Sequence, residues 1–159
     1  MRYNKGMTQS LFVRRMEDNM LQSNGKDKIE YVALYCRIAT ADQFSDEAVK
    51  MQEHELLHWL KASEINAEVV RVFADKGNPA QDALTEMMQD MKRYGGKSLA
   101  AAVSADRFCR NLWKRHCLMQ TANAQNTTLY AIRENAVLND KAQMQTALCA
   151  ALLKGGVAR

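Results

Sequence analysis

Three arginines and an aspartate are the residues whose types and spacing best suit chemistry on an anionic substrate. Asp106, Arg107 and Arg110 lie within one five-residue segment, and Arg37 lies far earlier in the chain. On the first turn of a helix, residues three positions apart share a face, so Arg107 and Arg110 would point the same way. A guanidinium stays charged and can bind two oxygens at once, so this group suits a phosphodiester, with Asp106 orienting an arginine or exchanging a proton. The same residues also fit a solvated group of surface ion pairs.

The hydrophobic pattern predicts the elements that would bring these residues together. The segment Ile29–Ile38 is mostly apolar with β-branched and aromatic residues, which is typical of a parallel strand covered on both faces. Further strands are predicted at 69–74, 99–103 and 128–132, and helices at 49–63, 82–94, 111–126 and 140–154. This alternation predicts an α/β fold, an open and mostly parallel β-sheet with helices on both faces. Functional residues then gather in the loops at the carboxyl ends of the strands, here 37–44, 75–81 and 104–110.

The bulk composition fits one globular domain. The chain has 159 residues, of which 47% are hydrophobic and 25% charged, and no apolar run is long enough to span a membrane. The four cysteines lack C-x-x-C spacing, which is typical of reduced thiols in the cytoplasm. A net charge of +4 permits a nucleic-acid partner without requiring one. We predict a cytoplasmic protein without a cofactor, with a helical appendage over 1–28 and the main domain over 29–159.

Three separated motifs resemble the catalytic domain of serine recombinases, the resolvases and invertases. They are Tyr35-Cys36-Arg37-Ile38-Ala39-Thr40-Ala41-Asp42-Gln43, then Val72-Phe73-Ala74-Asp75-Lys76-Gly77, then Asp106-Arg107-Phe108-Cys109-Arg110. In that family a serine attacks the DNA backbone, arginines bind the phosphate, and a tetramer exchanges the cut strands. The resemblance therefore implies a resolvase-like fold, a role in site-specific DNA recombination and integration by mobile elements, and DNA as a partner.

The resemblance also implies roles for individual residues. Arg37, Arg107 and Arg110 would bind the phosphate, Gln43 would join them in binding DNA, and Asp106 would act as their partner or carry a proton. The attacking serine of the family falls on Ala39, and alanine has no nucleophilic atom.

Two further departures from the family pattern agree with a loss of chemistry. Asn78-Pro79 stands where the family usually has Ser-Gly, and no arginine lies between Arg71 and Arg93 to supply the usual one on the next helix. We expect a regulatory or structural pseudoenzyme that binds DNA weakly and does not cut it. In the alternative, the chain is an active recombinase in which the hydroxyl of Thr40 or Ser45 replaces the missing serine.

The last predicted helix resembles the start of the helix that pairs recombinase subunits. Its apolar residues Met144, Leu148 and Leu152 recur at helical spacing. We therefore expect a homo-oligomer or a complex with a partner recombinase subunit. In the family this helix leads to a DNA-binding module, so the chain is expected to be either a truncated protein or a standalone domain.

A zinc metalloprotease is the rival interpretation. The segment His54-Glu55-Leu56-Leu57-His58 matches H-E-x-x-H, in which two imidazoles one helical turn apart bind zinc and the glutamate activates a water. At about 100° per residue, however, the histidines lie opposite a stripe formed by Leu56, Leu57 and Leu60, which predicts that they face solvent. We therefore expect no metal site.

Overall fold

A computed structural model of the chain describes residues 28–40, 42, 44–140, 149 and 153. Five strands lie within it, namely β1 Tyr31–Ile38, β2 Val69–Lys76, β3 Ser98–Ala102, β4 Thr127–Ala131 and β5 Ala136–Val137. The helices within it are α1 Ser45–Ala62, α2 Asp82–Tyr94, α3 Ala105–Phe108 and α4 Leu112–Ala124. The predicted appendage over 1–28 and the predicted helix over 140–154 lie almost entirely outside the described residues, and Gln43 lies outside them as well.

The five strands form one sheet in the order β2-β1-β3-β4-β5. The strands β1 to β4 are parallel, and the short β5 runs antiparallel to β4. This arrangement confirms the predicted α/β fold with a mostly parallel sheet. Because β1 lies between β2 and β3, the loops that follow these three strands are neighbours at one edge of the sheet.

The central strand β1 separates two hydrophobic cores. Tyr31, Ala33 and Tyr35 face a core completed by α2 and α4, in which Met87, Met91 and Met119 are buried. Val32, Leu34 and Cys36 face a second core, which α1 covers with Val49, Leu56, Trp59 and Leu60. The six consecutive buried residues from Tyr31 to Cys36 explain why the segment reads as a continuous apolar run. Helices therefore cover both faces of the sheet, as predicted.

The helices follow the predicted pattern with a few differences. The helix α2 ends just before Gly95, which takes a left-handed φ of 78° and donates its N–H to the Met91 carbonyl, as a glycine after a helix commonly does. Leu57 was predicted to lie on the buried stripe of α1 but is 41% exposed, because it is rotated by about 100° from the buried Leu56. The elements α3 and β5 were not predicted, since four and two residues are too few to show a period. None of the described helices has both the length and the apolar run needed to span a bilayer.

Candidate functional site

The sheet order creates a crevice between the loops that follow β1 and β3. The connection that follows β1 leads to β2 on one side of the sheet, whereas the connection that follows the neighbouring β3 leads to β4 on the other side. Open α/β sheets bind ligands at such a topological switch point, outside the carboxyl ends of the strands. Arg37 lies at the end of β1, and the helix α3, which carries Asp106 and Arg107, follows β3 directly. The fold therefore brings the candidate residues of both loops to one crevice.

Arg107 links the two loops through its own side chain. Its Nη1 donates to the carbonyl of Arg37 over 3.1 Å. The buried amide of Gln52 also holds that residue, since its Nε2 donates to the same carbonyl at 2.9 Å and its Oε1 accepts from the Arg37 N–H at 3.1 Å. The backbone of Arg37 is thereby fixed on both sides. The Nε of Arg107 is buried, and no acceptor for it lies among the described residues.

The carboxylate of Asp106 is charged and oriented within the same loop. Ser104 donates its hydroxyl to the Asp106 carboxylate, and this bond lowers the pKa of Asp106. Burial, the second-largest effect, opposes this shift, and the guanidinium groups of Arg107 and Arg110 lower the pKa by smaller amounts. Arg110 is exposed. The loop therefore presents one carboxylate whose charge is balanced by two arginines, and Arg110 is open to solvent.

The position expected for the nucleophile is solvent-exposed but carries no reactive atom. Ala39 and Thr40 are both exposed in the loop that follows β1. Ser45 is buried, and its hydroxyl accepts the Asp42 N–H at 2.6 Å at the start of α1. Its oxygen therefore stabilises the loop, whereas the Thr40 side chain extends from an exposed position.

The loop that follows β2 contributes a buried network instead of a ligand site. Asp75 is 3% exposed, and its carboxylate accepts the N–H groups of Ala83 and Leu84 and the Tyr35 hydroxyl, at 2.9, 3.1 and 2.6 Å. It therefore caps α2. Burial and the bond to Asp75 raise the pKa of Tyr35 above its usual range. Gln81 donates to the Tyr35 hydroxyl and to the Phe108 carbonyl, at 3.1 and 2.7 Å, and so ties this network to α3.

The H-E-x-x-H segment does not form a metal-binding cleft in the described part of the chain. His54 and His58 are exposed on α1. Arg133 donates to both oxygens of Glu55, over 3.2 and 3.1 Å, so the glutamate is held in an ion pair with the turn that follows β4. Among the described residues, no three His, Cys, Asp or Glu side chains come together in a way that could hold a metal ion.

Sequence reasoning missed two residues that shape the site. Gln52 is a buried polar residue three positions after Val49 and four before Leu56, so it occupies the apolar stripe of α1. A glutamine there needs a hydrogen-bonding partner, and that requirement was a usable signal. Ser104 had no such signal, because its bond to Asp106 depends on how the chain turns after β3.

The model of the family described as "Resolvase, N terminal domain" matches residues 32–155 of this chain. No protein of curated function matches it. Among solved structures, the chain is similar to a resolvase family site-specific recombinase from Streptococcus pneumoniae, with 19% identity and a TM-score of 0.68 over 79% of this chain and 88% of that one.

Two other solved structures share the fold. One is the N-terminal catalytic domain of TP901-1 integrase, with 14% identity and a TM-score of 0.63 over 79% of this chain and 95% of that one. The other is the C-terminal catalytic domain of ISC1926 TnpA, an IS607-like serine recombinase. It has 14% identity and a TM-score of 0.53 over 79% of this chain and 81% of that one. At these identities the similarity establishes the shared fold and leaves function to be argued from the site.

Proposed function

This chain belongs to the resolvase N-terminal domain family, and we propose that it binds a DNA phosphodiester without cutting it. Domains of this family act in site-specific DNA recombination. The proposal assigns Arg37, Arg107 and Arg110 to phosphate binding and makes Asp106 their charge partner. It places the chain in a regulatory or structural role within a recombination system.

The buried Nε of Arg107 is the observation that carries the proposal. A buried N–H without an acceptor costs about 1–3 kcal/mol, and folded proteins rarely leave one. The Nη1 of the same guanidinium is bonded to Arg37, at the switch point between β1 and β3. A phosphate oxygen would satisfy such a donor, because guanidinium groups bind two oxygens through adjacent N–H groups. The exposed Arg110 would add a second charge-assisted contact.

The residues around the position of the missing serine support the proposal that the chain does not cut DNA. Ala39 has no nucleophile, and the hydroxyl of Ser45 is buried and bonded at the start of α1. Thr40 is exposed and is the remaining candidate for a substitute nucleophile. We propose that it does not replace the serine, because it lies in the bend after β1 one position beyond Ala39, where the nucleophile of the family falls.

Binding and cutting can be tested separately on the whole chain. Fluorescence anisotropy with a labelled duplex of arbitrary sequence should show binding that weakens steeply with salt, as expected when arginines displace counterions. Binding that is absent at low salt, or that is insensitive to salt, would refute phosphate binding.

The cutting test uses a denaturing gel to detect protein covalently attached to DNA, with supercoiled plasmids that carry random inserts as substrate. We expect no adduct from the wild-type chain, and any adduct would refute the lack of cutting. The variants Thr40→Ala and Ser45→Ala would then identify the nucleophile. An adduct formed by Ala39→Ser alone would show that only the nucleophile is missing. If Ala39→Ser also forms none, the lack of an arginine between Arg71 and Arg93 becomes the better explanation.

Self-association is part of the proposal, since recombinase domains of this family typically oligomerise. The partner would be a second copy of this chain or a subunit of an intact recombinase. Light scattering over a concentration series should show a mass that rises above that of the 18.0 kDa chain. A monomer at the highest concentration would exclude the homo-oligomer, and a pull-down with an intact recombinase would then test the second partner.

A further inference from the structure

The short helix α3 lacks the cap that its own sequence would normally provide. Ser104 is its N-cap residue and has the extended backbone of a capping serine, yet its side chain makes no bond to the N–H groups of the helix. Its hydroxyl donates to the Asp106 carboxylate instead. A serine at this position usually stabilises the helix start by accepting an N–H. Here the Ser104 hydroxyl bonds to the Asp106 carboxylate, so the N–H groups in the first turn of α3 need a different acceptor.

A glutamate from a distant part of the chain supplies this acceptor. The Oε1 of Glu134 accepts the N–H of Ala105, the first residue of α3, at 3.0 Å. Glu134 contacts the backbone of α3 here, and α3 carries Asp106 and Arg107.

The turn that carries Glu134 is itself held firmly. The N–H groups of Ile132 and Arg133 donate to the carbonyls of Ala102 and Val103, both at 3.0 Å, and so extend the pairing between β4 and β3. The guanidinium of Arg133 binds Glu55 on α1 through two bonds. Asn135 accepts the hydroxyl of the buried Tyr130. The Glu134 carboxylate therefore projects from a turn that the sheet, α1 and the core hold together.

We propose that Glu134 is a positioning residue, which fixes α3 so that Arg107 and Arg110 can hold a phosphate. The proposal rests on the phosphate-binding function proposed above. It assigns a negatively charged residue a favourable effect on DNA binding, although charge alone predicts the opposite, because a carboxylate near a DNA-binding surface repels phosphates.

The sign of the effect on DNA binding separates the two roles. Glu134→Ala removes both the charge and the acceptor and should weaken binding of a labelled duplex about fivefold, which is the equivalent of one lost cap. Glu134→Gln removes the charge but keeps an oxygen that can accept the Ala105 N–H, so its binding should equal or exceed that of wild type. As a matched control, Glu86→Ala removes an equal charge from an exposed position on α2 and should not weaken binding.

A second arm tests positioning in the free protein. Amide hydrogen exchange at Ala105 and Arg107 should accelerate about tenfold in Glu134→Ala and stay near the wild-type rate in Glu134→Gln. In an Arg107→Ala background, the effect of Glu134→Ala on DNA affinity should largely disappear, since the two residues act through one path.

Each failure has a distinct meaning. If the wild-type chain binds no DNA, the proposed function fails, while the exchange measurement still tests whether Glu134 fixes α3. If Glu134→Ala strengthens binding, or if the alanine and glutamine variants exchange at the same rate, Glu134 is not a positioning residue.

Discussion

Two regions at the carboxyl ends of the strands contain similar polar residues, but one region stabilises the fold and the other is the candidate binding site. Asp75 lies near the end of β2, and its carboxylate accepts three hydrogen bonds in a buried network with Tyr35 and the start of α2. In the second region, Arg37 lies near the end of β1 and Arg107 lies on α3, which follows β3. The buried Nε of Arg107 has no acceptor there among the described residues. The first region satisfies its polar groups internally, whereas the second keeps a donor available.

This difference shows what identifies a binding site at a sheet edge. Polar residues at the carboxyl ends of strands are expected in both regions, so their presence alone does not separate a cap from a ligand site. The remaining hydrogen-bonding capacity does separate them. Asp75 has used both of its oxygens, and its loss should damage the fold. The Nε of Arg107 has no acceptor among the described residues, so the loss of Arg107 should weaken DNA binding more than it lowers stability.

The largest expected effect is on stability. Asp75→Ala should lower the free energy of unfolding by about 3 kcal/mol, because it removes the cap of α2 and leaves the Tyr35 hydroxyl and two N–H groups without their acceptor. Urea denaturation measures this change. As a control, Asp82→Ala removes an exposed carboxylate from the first turn of α2 and should cost no more than about 1 kcal/mol. Similar losses for both variants would show that the network does not stabilise the fold specially.

The next effect is on DNA affinity. Arg107→Ala should weaken duplex binding about tenfold and reduce the slope of affinity against salt by about one phosphate contact. Its unfolding free energy should change by less than about 1 kcal/mol, since the variant loses the bond to Arg37 but also loses a buried donor that has no acceptor among the described residues. Anisotropy titrations at several salt concentrations measure the affinity and its salt slope, and urea denaturation measures the unfolding free energy. Arg93→Ala provides the control, because this exposed arginine lies in the last turn of α2, at the opposite edge of the sheet.

A smaller effect is expected in the loop after β1. Ser45→Ala should lower the unfolding free energy by about 1 kcal/mol, because the buried hydroxyl accepts the Asp42 N–H. Thr40→Ala, at an exposed position, should change stability by less than about 0.5 kcal/mol. Thermal or urea unfolding of the two variants gives the comparison. Equal losses would contradict a structural role for the Ser45 oxygen.

The sequence could predict the main strands and helices because most of them carry a clear apolar pattern, either a continuous run or a helical spacing. The buried run from Tyr31 to Cys36 predicts a central parallel strand, and the signals at Asp82 and Gly95 mark the ends of α2. The sequence could also predict that the loops bearing Arg37 and Arg107 would meet, since parallel strands bring their carboxyl ends to one edge. Pattern alone gives the layout of the sheet and the location of the crevice.

The sequence could not show which polar groups would be consumed by the fold. Asp75 lies near the end of one strand and Asp106 shortly after another, yet Asp75 caps a helix whereas Asp106 accepts a bond from Ser104 close to two arginines. Glu134 acts on α3 from 29 residues away, and such a long-range contact leaves no local period. Ser104 would be read as an ordinary N-cap, although its hydroxyl serves Asp106. These assignments depend on tertiary contacts that only the folded arrangement defines.

The smallest expected effect concerns the charge of Asp106. Its pKa is lowered in the folded chain by Ser104 first and then by Arg107 and Arg110, whereas the unfolded value is about 3.9. Its stabilising contribution is therefore present above about pH 4 and is lost as the pH falls through the lower folded pKa. Because the carboxylate is partly solvated, screening keeps this contribution small. The difference in unfolding free energy between wild type and Asp106→Asn should shrink below about pH 4, and an NMR titration of the Asp106 carboxyl carbon gives the pKa directly. Ser104→Ala should raise that pKa, because it removes the largest cause of the shift. If Asp106 has its ordinary pKa in the wild-type chain, the loop does not hold the carboxylate beside the arginines.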